Sequence, residues 1–306
     1  MATDYILFVH GVNTREVREQ PEYADPLFER IQRNLVNSGN ILKKIAFYWG
    51  NLPDLVNAEA KLLKSLQDSP LWRQMWFREF REQQILQFAG DAALYISRHV
   101  GAQLVKKLKA DALREIGNPD SKDRLHLVTH SWGTAIVFDI LFAGRWDDPN
   151  APGHDEVMAL RDAIFGIAGN ESNPHQGIQL ASIHTMGSPV AIFSLTDVAA
   201  SGHDITPKLQ QLLESLYQKR QEKLPWKNFV HPGDPIAYPL KELMIDLVDR
   251  NKKYLDIQDV MTYEAGIFDF LTEPVSQTAL ALLHGGDAHG SYWRSNRVAE
   301  EISKVL

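Results

Sequence analysis

The chain of 306 residues contains no cysteine. A disulfide framework and thiolate zinc sites are therefore excluded, and the absence fits a reducing compartment. Basic charge is also short: 32 Lys and Arg face 39 Asp and Glu, for a formal net charge of −7. A nucleic-acid binder needs a basic face to neutralise phosphates, so that partner class is not expected. No uninterrupted apolar run approaches the ~18 residues that cross a bilayer. The most apolar long stretch, 85–105, is broken by Gln87, Asp91, Arg98 and His99, so no transmembrane segment is expected. The start, Met1-Ala2-Thr3-Asp4-Tyr5, has neither the basic region nor the cleavage site of a secretory leader, which leads to an expected cytoplasmic location. Repeats, low-complexity tracts and long Gly/Ser/Pro linkers are missing as well. With no seam to divide it, the chain reads as one domain over 1–306 carrying a helical insertion at 53–117. The histidines show no H-E-x-x-H spacing and the acidic residues are scattered, so neither a metal nor another cofactor is expected.

What the chain does have is ordinary globular material: 44% hydrophobic and 23% charged residues, enough for a sizeable core. Short β-prone runs at 5–9, 44–48, 125–128, 179–185, 227–230 and 254–261 alternate with segments of helical period at 26–36, 134–142, 207–221 and 291–305. Most of the strand candidates are continuous apolar stretches, the pattern of parallel strands covered by helices on both faces. The expected fold class is α/β, with a mostly parallel central sheet between helical layers. Gly144 follows 134–142 closely and reads as its C-terminal stop. Within 53–117, Ser69-Pro70 reads as the N-cap and first-turn proline of a new helix. Trp72, Trp76, Phe77 and Phe80 fall on one helical stripe, expected to pack on the body of the protein or to cap a site.

The strongest local signal is Leu125 to Thr134, an apolar strand ending in His130-Ser131-Trp132-Gly133 and followed by a helix. A serine nucleophile held on a tight strand-to-helix turn needs small neighbours two positions away on each side, because the backbone there is strained and crowded. Gly133 meets that need, whereas Thr129 stands where a glycine is usual. Such a turn puts the Ser131 hydroxyl at the carboxyl edge of the sheet and aims the Trp132 amide at a developing oxyanion, helped by the helix N-terminus. The first strand ends in His10-Gly11-Val12, where glycine allows close approach and the Val12 amide supplies a second oxyanion donor.

These segments, together with T-M-G-S-P at Thr185 to Pro189, G-D-P-I-A at Gly233 to Ala237 and A-H-G-S-Y-W at Ala288 to Trp293, resemble the α/β-hydrolase superfamily, in its bacterial esterase and lipase-like branch. The resemblance implies a triad in the chain order Ser, acid, His. Asp234 stands directly after the strand candidate 227–230 and is the expected acid, ahead of Asp246, Asp249, Asp256, Asp259 and Asp287. His289, in a loop of small residues before the terminal helix, is the expected base, ahead of His284. His10, Gly11, Gly187 and Ser188 are expected to line the substrate site, and His130 to pack beneath the turn. The implied activity is hydrolysis of a carboxylic ester through an acyl-enzyme, with a small-molecule ester or lipid as substrate. A lipase or phospholipase, a thioesterase or amidase, and a non-catalytic binding protein on the same fold are the alternatives.

Overall fold

A computed structural model of the chain describes residues 2–11, 21–35, 39–74, 98–169, 176–193, 204–262 and 288–306. Among these, β1 (Thr3–Val9), β2 (Ile41–Phe47), β3 (Arg124–His130), β4 (Gln179–Met186), β5 (Leu224–Val230) and β6 (Leu255–Met261) form one sheet in the order β2-β1-β3-β4-β5-β6. Every pairing is parallel. All of β1 is buried, whereas the edge strands β2 and β6 alternate between buried and accessible positions. That difference is what helices on both faces of a parallel sheet require of inner and outer strands.

The helices among the described residues are α1 (Asp25–Asn34), α2 (Pro53–Gln67), α3 (Arg98–Ile116), α4 (Trp132–Phe142), α5 (His154–Asp162), α6 (Val190–Phe193), α7 (Thr206–Arg220), α8 (Lys241–Val248) and α9 (Asn296–Ser303). Because successive strand residues face opposite ways, two cores form. Tyr5, Leu7, Leu125 and Leu127 join α3, α4, α5 and α7 on one face. Ile6, Phe8, Val128, Met186 and Phe229 meet α1 and α9 on the other, through Leu27, Ile31, Val298 and Ile302. Among the described residues no helix is long and apolar enough to cross a membrane.

Three local expectations need correction. The terminal segment 291–305 is not one helix: a 3-10 turn, Ser291–Arg294, is followed by α9. Ser295 breaks it by turning extended (φ −78°, ψ 123°) and accepting the Val298 amide as N-cap. Gly144 is not a left-handed stop; α4 leaves its helix at extended Ala143 and Gly144 opens a 3-10 turn. The carbonyls at that end are taken by the buried Arg161 of α5, which donates to Ile140 O (3.1 Å) and Ala143 O (2.7 Å) while pairing with Asp147. A guanidinium there satisfies the helix terminus chemically and complements its negative end, so no glycine is needed. At Ser69-Pro70 the chain makes turns and a 3-10 turn at Trp72–Gln74 rather than entering an α-helix at once. In the C-terminal part of 53–117, α3 buries Val100, Leu104, Val105, Leu108 and Ala112 in the core. It covers the sheet on the way from β2 to β3, as a crossover helix does. Trp76, Phe77 and Phe80 lie outside the described residues.

The sheet order also reverses direction at β1. From β1 the chain runs to β2 on one side, and β3 then lies on β1's other side. In open parallel sheets such a reversal of strand order is the usual place for a ligand, beyond the carboxyl ends of the two strands.

Candidate active site

β3 delivers its last residue, His130, and the chain turns into α4 through Ser131 alone. Ser131 has φ 54° and ψ −133°, a conformation that glycine adopts readily and that strains any residue with a side chain. The Ser131 amide still donates to Met186 O at 2.9 Å, so the turn begins inside the sheet ladder. Its neighbours leave no room. A Cβ on Gly133 would stand 2.3 Å from the His10 carbonyl oxygen, and one on Gly11 would stand 2.5 Å from Ser131 Cβ. Both glycines are thus dictated by the contact between the end of β1 and the turn after β3. Trp132 is the first residue of α4, so its amide lies at the positive end of the helix. The second expected oxyanion donor, Val12, lies outside the described residues.

Thr129 fits without a glycine. It is fully buried, and its Oγ1 shares a 2.9 Å hydrogen bond with Thr134 Oγ1 in the first turn of α4. The extra side chain is thereby used to tie the strand to the helix on either side of Ser131. Ser131 Oγ is itself buried and has no hydrogen-bond partner among the described residues.

Asp234 and His289, 55 positions apart in sequence, meet directly. His289 Nδ1 lies 3.0 Å from Asp234 Oδ1 and 2.9 Å from Oδ2. A carboxylate only accepts, so Nδ1 carries a proton in this contact. Asp234 is held further by the Ile236 amide (2.9 Å) on Oδ1 and the Tyr292 hydroxyl (2.8 Å) on Oδ2. Burial by itself raises the Asp234 pKa. The hydrogen bond and charge of His289, with the Ile236 amide and the Tyr292 hydroxyl, outweigh it and hold the carboxyl below its ordinary range. Gly187 (φ 54°) is required here too, since a Cβ would come within 2.6 Å of Asp234 Oδ2.

His130 ties this pair to the turn. Its Nε2 donates to the His289 carbonyl at 2.7 Å, and the two rings lie 4.6 Å apart. Burial, reinforced by the nearby His289, drives the His130 pKa down to about 3, so it remains neutral. The structure therefore joins Asp234 to His289 by a hydrogen bond and His289 to the Ser131 turn through His130. It makes no hydrogen bond between Ser131 and His289.

Two of the residues expected to line a substrate pocket are held inside the protein by their own contacts. His10 is buried, stacked on Trp49 with 5.3 Å between centroids, and donates from Nδ1 to Gly11 O (2.5 Å) while Nε2 accepts the Trp49 amide (3.2 Å). Its ring thus shapes the turn at Gly11. Ser188 is buried, and its Oγ accepts the Val190 amide at 3.2 Å at the start of α6. Among the rival acids, Asp249 accepts three amides, those of Lys253, Tyr254 and Leu255. Asp259 holds the Leu240 and Lys241 amides at the start of α8 together with Asn228 Nδ2. Asp246 is exposed beside Arg250. His284 and Asp287 lie outside the described residues.

Two features of the structure were not expected from the sequence. Tyr292 stands three positions after His289 on the same turn, so both reach the same carboxylate. The His-x-x-Tyr spacing was the available signal. The other is a second Ser-His-Asp contact. Ser182 Oγ lies 2.7 Å from His126 Nδ1 and 2.8 Å from His184 Nε2, and His126 Nε2 lies 3.4 Å from Asp4, which Arg124 holds in two further bonds. The side chains of Ser182, His126, His184 and Asp4 are all buried within the sheet, and Ser182 is mid-strand rather than on an exposed turn. It reads as a buried polar layer in which one hydroxyl bridges two imidazoles, with His184 Nδ1 left without a partner among the described residues.

Among the described residues, no cluster of three or more His, Asp or Glu could hold a metal ion. In comparisons with known proteins, no family model matches this chain and no curated protein does.

Proposed function

We propose that this protein is a serine hydrolase of the α/β-hydrolase type that cleaves a carboxylic ester. One observation supports this above the rest. A serine held in a glycine-like backbone conformation sits at the carboxyl edge of a parallel sheet, and nearby an imidazole has Nδ1 bound to a buried carboxylate. Structural serines have no need of the first feature, and strain of this kind concentrates at functional turns. The reversal of strand order between β1 and β3 supports the same reading, because open α/β sheets commonly bind ligands beyond the carboxyl ends of the strands at such a point.

In this reading Ser131 Oγ attacks the ester carbonyl while His289 Nε2 takes its proton. Asp234 keeps the imidazole in the Nδ1–H tautomer and stabilises the imidazolium that forms. The amides of Trp132 and Val12 receive the negative charge that develops on the carbonyl oxygen. His289 then returns the proton to the departing alcohol, leaving an acyl group on Ser131. Water gives a proton to the same histidine and attacks the acyl carbonyl; the bond to Ser131 Oγ breaks, Oγ takes the proton back from His289, and the carboxylic acid leaves. His10, Gly11 and Gly187 act by shaping the backbone around these groups.

The test is a fluorophosphonate probe together with p-nitrophenyl esters of increasing chain length. Wild type should be labelled and should turn over esters, whereas Ser131→Ala should lose labelling and at least ~10⁴-fold of the rate with its fold intact. Equal labelling of both proteins, or a well-folded wild type that neither labels nor hydrolyses, would overturn the proposal.

A further inference from the structure

We infer that Tyr292 is a positioning residue for the Asp234–His289 pair, setting both the orientation of the carboxylate and the basicity of the imidazole through the hydrogen bond it donates. This deepens the proposed hydrolase function and rests on His289 being its general base.

The hydroxyl of Tyr292 is fully buried and makes two bonds of opposite sense. It accepts the His231 amide at 2.9 Å and donates to Asp234 Oδ2 at 2.8 Å. The first bond fixes the direction of its single proton, because an oxygen approached by an N–H must turn its own hydrogen elsewhere. Burial, then the adjacent carboxylate, push its pKa upward, so the phenol stays protonated and remains a donor.

The pair is affected in two ways. First, Oδ1 is held by Ile236 N and Oδ2 by Tyr292, which locks the carboxylate plane with both oxygens astride His289 Nδ1. Second, a donor on Oδ2 draws off negative charge that would otherwise stabilise the imidazolium. Without it the carboxylate holds the protonated ring more tightly and the base is harder to free. Among the described residues, the other titratable groups near the pair are His130 from β3, His231 from the loop after β5 and, beyond His130, His10 from the end of β1. All three are histidines, and burial holds His130 and His231 below their ordinary pKa, so neither masks a shift by titrating in its place.

The experiment is an NMR titration of the His289 ring in the full-length protein, assigned with His289→Asn, comparing wild type with Tyr292→Phe. The His289 midpoint should move upward by roughly half to one unit. In parallel kcat on an ester should fall roughly tenfold with KM unchanged, and the acid limb of its pH profile should follow the ring. In an Asp234→Ala background, Tyr292→Phe should leave the midpoint where it was. An unmoved midpoint in the first comparison, or an equal shift without Asp234, overturns the inference. If Tyr292→Phe does not fold, the wild-type hydroxyl proton decides: protected by burial, it should shift as His289 titrates, and a resonance indifferent to that titration counts against the role. Because the titration needs no turnover, loss of the proposed activity and loss of this inference are separately visible.

Discussion

The carbonyl oxygen of His10 lies where a side chain on Gly133 would have to go, 2.3 Å from the position of its Cβ. The end of β1 and the first turn of α4 are thus in backbone contact, and Ser131 is caught between them.

Replacing Gly133 by alanine tests that contact. In a helix the change normally gains about 1 kcal/mol. Here the clash is with main chain, which cannot rotate away, so Gly133→Ala should instead cost about 1–3 kcal/mol. Chemical denaturation measures it, and a stabilised variant would show that the two segments are not packed as described.

Ser131 should be worth more to activity than to the fold. Its positive φ and its buried, unpartnered Oγ are both unfavourable. Ser131→Gly should relieve the strain and outweigh the entropy that glycine adds to the unfolded chain, leaving the protein about 1 kcal/mol more stable. Under the proposed function the same variant is inactive. A lower melting temperature would contradict the strain argument.

Thr129 separates pattern from physics. Thr129→Gly restores the usual residue before the serine but removes the partner of Thr134 Oγ1, which is fully buried. It should cost about 2 kcal/mol, from the orphaned hydroxyl and from glycine in a strand. Turnover at saturation should not rise. A gain in both stability and rate would mean that Thr129 is a flaw rather than a tie.

Acid should destabilise the protein through its buried imidazoles. Burial lowers the pKa of His126, His130 and His184 in the folded state. Below the unfolded value of about 6.5 the unfolded chain takes up protons that the folded one refuses, so stability falls as pH falls, by about 1.4 kcal/mol per unit for each such group. The lowered carboxyls of Asp4 and Asp234 add to the loss further into acid. Denaturation midpoints at about pH 7.5 and about pH 5.5 check the sign, and equal or rising stability at the lower pH would rule the account out.

Much of the architecture was legible because burial on both faces leaves a plain mark on a strand. Runs such as Ile6-Leu7-Phe8-Val9 and Leu127-Val128 have no polar side to show, and these are inner strands. The end of the chain misled because 291–305 keeps helical periodicity through Ser295, whose side chain serves as a cap only once the backbone bends there. The stop after α4 misled for a related reason: a nearby glycine looks sufficient until Arg161 arrives from another helix.

By itself the order of residues determined which stretches must be apolar and marked Gly11 and Gly133 as points of close approach, but what each glycine makes room for was decided by the tertiary contact between the end of β1 and the turn after β3. Tertiary structure alone decided which polar groups meet. Tyr292 reaches Asp234 across 58 positions and His130 reaches the His289 carbonyl across 159. Such contacts depend on loops docking to a rigid sheet edge, and a hydrogen bond lost or made within an ångström leaves no periodicity behind in the chain.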